Sequence, residues 1–201
     1  MSKTVPAARL GAAVEAGLTL LGENRVQEAL AKAPEVAGAR WHLVGPLQSN
    51  KARRALETFE LIETVDSVDL ARRLDRIAGE IGAVPAPVLL QVNVDLDPAK
   101  SGFPPDDLPA ALGELAGLTH LELRGLMTIG REVARPDEAR ATFAALRELR
   151  DRLRAEWPQL GPELSMGMTD DYPIAVEEGA TIVRVGRALF GERPHHHDHP
   201  H

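Results

Sequence analysis

Short apolar runs alternate with amphipathic helical stretches along almost the whole 201-residue sequence, and this restricts the fold more than any other feature. Pro6 suits the first turn of a helix running to about Glu15, and Leu18 to Leu21 follows as a short buried strand. Further strands are expected at Trp41 to Gly45, Phe59 to Val65, Pro87 to Val94, Leu121 to Thr128, Glu163 to Met166 and Thr181 to Val185. Between them lie helices through Val26 and Leu30, through Ala55 and Leu56, over Val68 to Ile81 with Ser67 as N-cap, and from about Pro105 to Leu115. The longest helix, Pro136 to Glu156, carries Phe143, Leu146, Leu149 and Leu153 on one face. Strand–helix alternation with short links predicts a parallel α/β fold. The strands number seven, near residues 19, 43, 62, 90, 124, 164 and 183, whereas a closed barrel of this kind needs eight.

Composition narrows the class. The chain is 44% apolar and 26% charged, ordinary for a globular protein, but only 3% aromatic, so its core must rest on Leu, Val, Ile and Ala. A net charge of −7 with no basic face argues against nucleic acid as the main partner. No run reaches membrane length, nothing at the start looks like a signal peptide, and there is no cysteine, so the expectation is a cytoplasmic protein without thiol chemistry. Lysine occurs only at positions 3, 32, 51 and 100, against nineteen arginines. That leaves four amines able to join an aldehyde covalently, because arginine does not form such a bond.

The last two strands carry the strongest chemical signal. Leu164-Ser165-Met166-Gly167-Met168-Thr169-Asp170-Asp171 and Thr181-Ile182-Val183-Arg184-Val185-Gly186-Arg187-Ala188-Leu189-Phe190-Gly191 each run from a strand through small or hydroxyl residues into a helix. Such loops present backbone N–H groups at the positive end of a helix, which suits a phosphate. From the residues alone, this supports an anion site.

These strings closely resemble the pyridoxal phosphate homeostasis family, itself similar to the N-terminal barrel of alanine racemase. Further matches are Ser2-Lys3-Thr4, Gly22-Glu23-Asn24-Arg25-Val26-Gln27-Glu28, Leu90-Gln91-Val92-Asn93-Val94 with Lys100-Ser101-Gly102, and Arg124-Gly125-Leu126-Met127-Thr128. The most specific is Trp41-His42-Leu43-Val44-Gly45-Pro46-Leu47-Gln48-Ser49-Asn50-Lys51. The resemblance spans residues 2 to 193. It implies a TIM-barrel-like α/β domain over residues 1–193, with a His-rich disordered tail over 194–201 that lies past the fold. It also implies a first strand and an N-terminal helix ahead of Ser2, and hence the expectation that the natural start lies upstream of Met1.

The same resemblance implies pyridoxal 5'-phosphate as cofactor, held as a Schiff base on Lys3, with PLP-dependent apoenzymes as recipients and a monomeric chain. Its cofactor-binding set would be Lys3, Asn24, Ser165, Thr169, Arg184, Gly186 and Arg187, with no catalytic residue and no metal. Thr169 would offer its hydroxyl to the phosphate, helped by Ser165, and Gly186 and Arg187 their main-chain N–H groups. Arg184 would face the pyridine nitrogen. Several of these residues have an alternative reading. Lys3 could be a solvated terminal lysine, Asn24 a helix cap, and Arg184 the partner of a barrel carboxylate. His42 could lie near the cofactor or be hydrogen-bonded inside the barrel, the second being favoured. Asn93 and Met127 could touch the ligand space, and Met127 and Met166 could equally be core filler.

Three functions compete: a carrier that holds the cofactor without turnover, an amino-acid racemase, and a barrel unable to bind cofactor for want of its first strand. Racemisation needs a proton donor on each face of the substrate. The chain offers one tyrosine, Tyr172, and no second domain.

Overall fold

The computed structural model describes residues 1–191. Seven strands form one sheet in sequential order: β1 (Leu20–Glu23), β2 (Arg40–Leu43), β3 (Leu61–Val65), β4 (Ala86–Gln91), β5 (Leu121–Met127), β6 (Glu163–Met168) and β7 (Ile182–Arg184). Every adjacent pair is parallel. The connecting helices are α1 (Ala7–Glu15), α2 (Val26–Lys32), α3 (Ala52–Thr58), α4 (Val68–Ile81), α5 (Leu108–Leu115), α6 (Arg140–Glu156), α7 (Tyr172–Glu177) and α8 (Arg187–Phe190). The tail at 194–201, and its expected disorder, lie outside the described residues.

The sheet curls until its two edges nearly meet. The Met1 amine donates to Val185 O at 2.7 Å, just past β7, while Ser2 N donates to Gly22 O of β1 at 2.9 Å. These two residues span the gap at the C-terminal end of the strands, where an eighth strand would lie. Farther from the mouth the gap stays open, and Leu20 of β1 is 43% exposed. On the outside, Arg9 of α1 donates to Phe190 O at 3.0 Å and lies 5.8 Å from that ring, tying the first helix to the last.

Strand residues alternate between two environments, as the pleat requires. Trp41, Leu43, Ile62, Leu164 and Met166 point outward into the main core, where they meet Leu10, Leu74, Leu112, Phe143 and Leu146 from the helices. Leu61, Leu89 and Met127 form a small separate cluster against Ile129 and Ile182. Both methionines are therefore core filler. His42, Glu63, Ser165 and Arg184 join one another instead, so a polar layer takes the place of an apolar one.

The element boundaries follow local chemistry. Ser67 accepts from Leu70 N at the start of α4, and Gly82 closes that helix with φ 71°. The stretch expected as one helix from Pro136 divides into a 3-10 turn, Pro136–Ala139, and α6. Helix α5 begins three residues later than Pro105, because a turn in which Asp107 N bonds Pro104 O comes first. Strand β1 is displaced to Leu20–Glu23, since Gly22 and Glu23 pair with His42 and Leu43 while Leu18 is exposed.

Candidate functional site

A line of four buried side chains crosses the barrel interior. His42 Nδ1 lies 2.7 Å from Glu63 Oε1, Ser165 Oγ donates to Glu63 Oε2 at 2.5 Å, and Arg184 Nη1 donates to Ser165 Oγ at 2.7 Å. Arg184 Nη2 donates to Thr128 O at 2.7 Å. Burial pushes the Arg184 guanidinium below its ordinary range, and the charges of Glu63 and Asp171 act against that. An arginine keeps its proton under such conditions, so the interior holds a fixed cation. Ser165 both donates and accepts within this line, which makes it a support for Arg184 rather than a member of the loops beyond the strands. The favoured reading of His42, hydrogen-bonded inside the barrel, is what the structure contains.

At the mouth, Ser2 and Lys3 are held from below. Ser2 is fully buried, and its hydroxyl lies 2.8 Å from Glu23 Oε1 and 2.9 Å from Gly22 O. Lys32 of α2 reaches over to donate to both Ser2 O at 2.8 Å and Glu23 Oε1 at 2.5 Å. Asn24 N lies 3.3 Å from Glu23 Oε2. One buried carboxylate thus organises the segment that presents Lys3, which is itself half-buried.

Asn24 does not cap α2: the N-cap position is Arg25, and no side chain accepts there. Its Oδ1 is instead buried without a hydrogen-bond partner among the described residues. Such an orphan is costly, and a polar ligand group would relieve it. The loop after β2 passes so closely that a Cβ on Gly45 would sit 2.2 Å from Asn24 O. We expect Gly45→Ala to destabilise the protein by about 2 kcal/mol, read as a lowered urea midpoint, because the obstacle is backbone and cannot turn aside.

The loops after β6 and β7 converge as their sequences suggest. Thr169 Oγ1 accepts from Gly186 N at 3.3 Å, and Asp171 Oδ1 accepts from Met168 N at 2.6 Å. Arg187 opens α8, where first-turn N–H groups lack partners within the helix. Its side chain turns away to pair with Asp170. Met1 packs across the same corner, its Sδ 3.0 Å from a Cβ position on Gly22 and its own Cβ 3.1 Å from one on Gly186. The cavity lined by Met1, Gly22, His42, Val44, Glu63 and Arg184 is about 40 Å3 with that side chain in place.

The other lysines have different surroundings. Lys100 Nζ donates to Gly130 O at 2.7 Å and lies 3.4 Å from Ile129 O, fastening the β4 loop to the β5 loop. Asn93 organises the same loop: its Nδ2 donates to Asp97 O and Lys100 O, and its Oδ1 accepts from Asp97 N. Lys51 ends the turn Ser49–Lys51 that leads into α3. Among the described residues no helix is long and apolar enough to cross a membrane.

Sequence reasoning missed Glu63 and Lys32. The first did leave a signal, a glutamate inside the buried run Leu61-Ile62-Glu63-Thr64-Val65. Lys32 left none, because a lysine in the last turn of a helix looks like any solvated residue.

A parallel barrel with a buried arginine on its last strand and paired small-residue loops at its mouth defines the alanine racemase N-terminal domain class, whose family model matches residues 3–194. Within that class the chain belongs to the pyridoxal phosphate homeostasis proteins. It is 46% identical over 196 residues to the Pseudomonas aeruginosa protein of that name, covering 96% of this chain and 83% of the relative. The structure of PipY from Synechococcus elongatus PCC7942, solved with PLP bound, superposes with a TM-score of 0.88 at 49% identity, covering 94% of this chain and 90% of PipY. Alanine racemase from Clostridium difficile 630 shares the fold at 16% identity and a TM-score of 0.79, over 94% of this chain and 49% of the enzyme.

Proposed function

We propose that this chain binds pyridoxal 5'-phosphate at the barrel mouth, holds it through Lys3, and serves PLP homeostasis without turning over a substrate. The observation that carries this reading is the convergence of three elements on one corner: the Ser2–Lys3 segment, the Thr169–Gly186 loop pair and the buried Arg184. The P. aeruginosa relative's name and the PLP-bound PipY structure support it.

The residues fit such a group. Thr169 and the N–H groups of Gly186 and Arg187 would receive the phosphate, with Ser165 acting indirectly by holding Arg184. The orphaned amide of Asn24 would meet a polar substituent of the ring. Met1 fills part of the space, and its unbranched side chain would swing out as the ring enters. When bound, the cofactor supplies a reactive aldehyde and an electron-withdrawing ring. Arg184 would meet the ring nitrogen as a donor that gives up no proton, which leaves the ring a weak electron sink. Tyr172 opens α7 and is 40% exposed, so it is poorly placed as a buried acid for racemisation. The proposal extends to a monomer acting in the cytoplasm, with PLP-dependent apoenzymes as recipients.

The test is the visible spectrum after mixing with pyridoxal phosphate and removing the excess. A retained visible absorption band, distinct from that of the free cofactor, is expected. A spectrum of bare protein would contradict the proposal.

A further inference from the structure

The buried line behind Arg184 has a direction. Arg184 Nη1 donates to Ser165 Oγ, and Ser165 donates onward to Glu63 Oε2, so the serine proton and lone pair are both engaged. Glu63 turns its other oxygen to His42 Nδ1 at 2.7 Å. All four residues are buried: Ser165 at 0% exposure, Glu63 at 1%, His42 at 6% and Arg184 at 8%. The line is complete within the protein, each member holding the next by a hydrogen bond.

A guanidinium inside a barrel has five N–H groups in one plane, and its orientation depends on how many of them are held. Here one edge is pinned by Thr128 O and another by Ser165 Oγ. The second contact is directional only while Glu63 draws the hydroxyl proton away from Arg184. A serine without that acceptor could rotate and offer its own proton to the guanidinium side. Glu63 is in turn held by His42, a residue of the adjacent strand β2. The line therefore connects β2 and β3 to β6 and β7.

We propose that His42 and Glu63 are positioning residues: acting through Ser165, they fix the plane of the Arg184 guanidinium and so set how strongly it engages the ring nitrogen of the bound cofactor. This rests on the reading of Arg184 as the ring partner given above. The role assigned to both residues runs through Ser165 to Arg184. Their effect is to present one N–H of Arg184 in a fixed direction before binding, so that no reorientation is needed when the ring arrives.

The experiment compares wild type with Ser165→Ala and His42→Asn, two variants that leave both buried charges in place. Glu63→Gln is added where it folds. Each is loaded with pyridoxal phosphate labelled with 15N in the ring, and the ring-nitrogen resonance and the cofactor release rate are measured. In parallel, the Arg184 Nε–H resonance of the ligand-free chain reports how firmly the side chain is held. The expected result is a shifted ring-nitrogen resonance, release faster by roughly tenfold, the value of one charge-assisted hydrogen bond, and faster Nε–H exchange. A purely structural role predicts a lower melting temperature with the ring resonance and Nε–H exchange unchanged, and that outcome overturns the inference. If wild type takes up no cofactor, the proposed function fails; the inference then falls with it for the ring, and the Nε–H comparison still decides whether His42 and Glu63 hold Arg184.

Discussion

Lys32→Met is expected to lower stability by about 3–5 kcal/mol and to remove cofactor retention with it. The reason is the carboxylate it leaves behind. Glu23 is fully buried, and Lys32 at 2.5 Å is its cation partner. Without that lysine a charge sits in the interior with the Ser2 hydroxyl and the Asn24 amide as its hydrogen-bond partners and the partly buried Met1 amine as the cation near it. Ser2 O also loses its donor, so the segment presenting Lys3 is released at its carbonyl anchor. For a chain of this size the melting temperature should fall on the order of 10 °C. A second substitution separates charge from contact. Lys32→Met with Glu23→Leu removes both members of the pair, and stability should largely return while retention should not. Recovery of retention in the double variant would show that the clamp does not position Lys3.

Arg184→Leu should act as severely from the other side of the site. The cation it removes balances Glu63 across Ser165, and its two hydrogen bonds are to groups inside the barrel. Glu63 then keeps only Ser165 and His42. A loss of about 3–5 kcal/mol is expected in chemical denaturation, with bound cofactor undetectable after gel filtration. Arg184→Lys keeps the charge, but a single ammonium cannot face Ser165 and Thr128 together in the same geometry. It should recover much of the stability and little of the retention. Equal loss of both properties in the lysine variant would mean that Arg184 serves the fold alone.

Most of the architecture was open to reading because strand and helix periods are local properties. The run Leu121 to Thr128 announces a strand whatever its neighbours, and Ser67 announces a helix start through its own side chain. The meeting of Thr169 with Gly186 was also legible, since two loops after adjacent parallel strands must lie side by side. What failed to show were relationships across the barrel. Ser165 reads as a strand hydroxyl that assists at the phosphate, yet strand parity turns it inward to Glu63, a residue far away in the chain. Lys32 reads as a helix-end lysine until α2 is folded back over Ser2. The alternative reading of Asn24 as a helix cap fails because the chain enters α2 with Arg25 at that position. The Met1–Ser2 bridge between β7 and β1 was likewise out of reach, because a seven-stranded count says where a gap falls and not what lies across it.

The most direct test of the central proposal is where pyridoxal phosphate attaches. Protein mixed with the cofactor is reduced with borohydride, digested, and mapped by mass spectrometry, with Lys3→Ala as control. The expected result is a single modified peptide carrying the adduct on Lys3, absent from the variant. An adduct on Lys32, Lys51 or Lys100, or one that persists in Lys3→Ala, would contradict it.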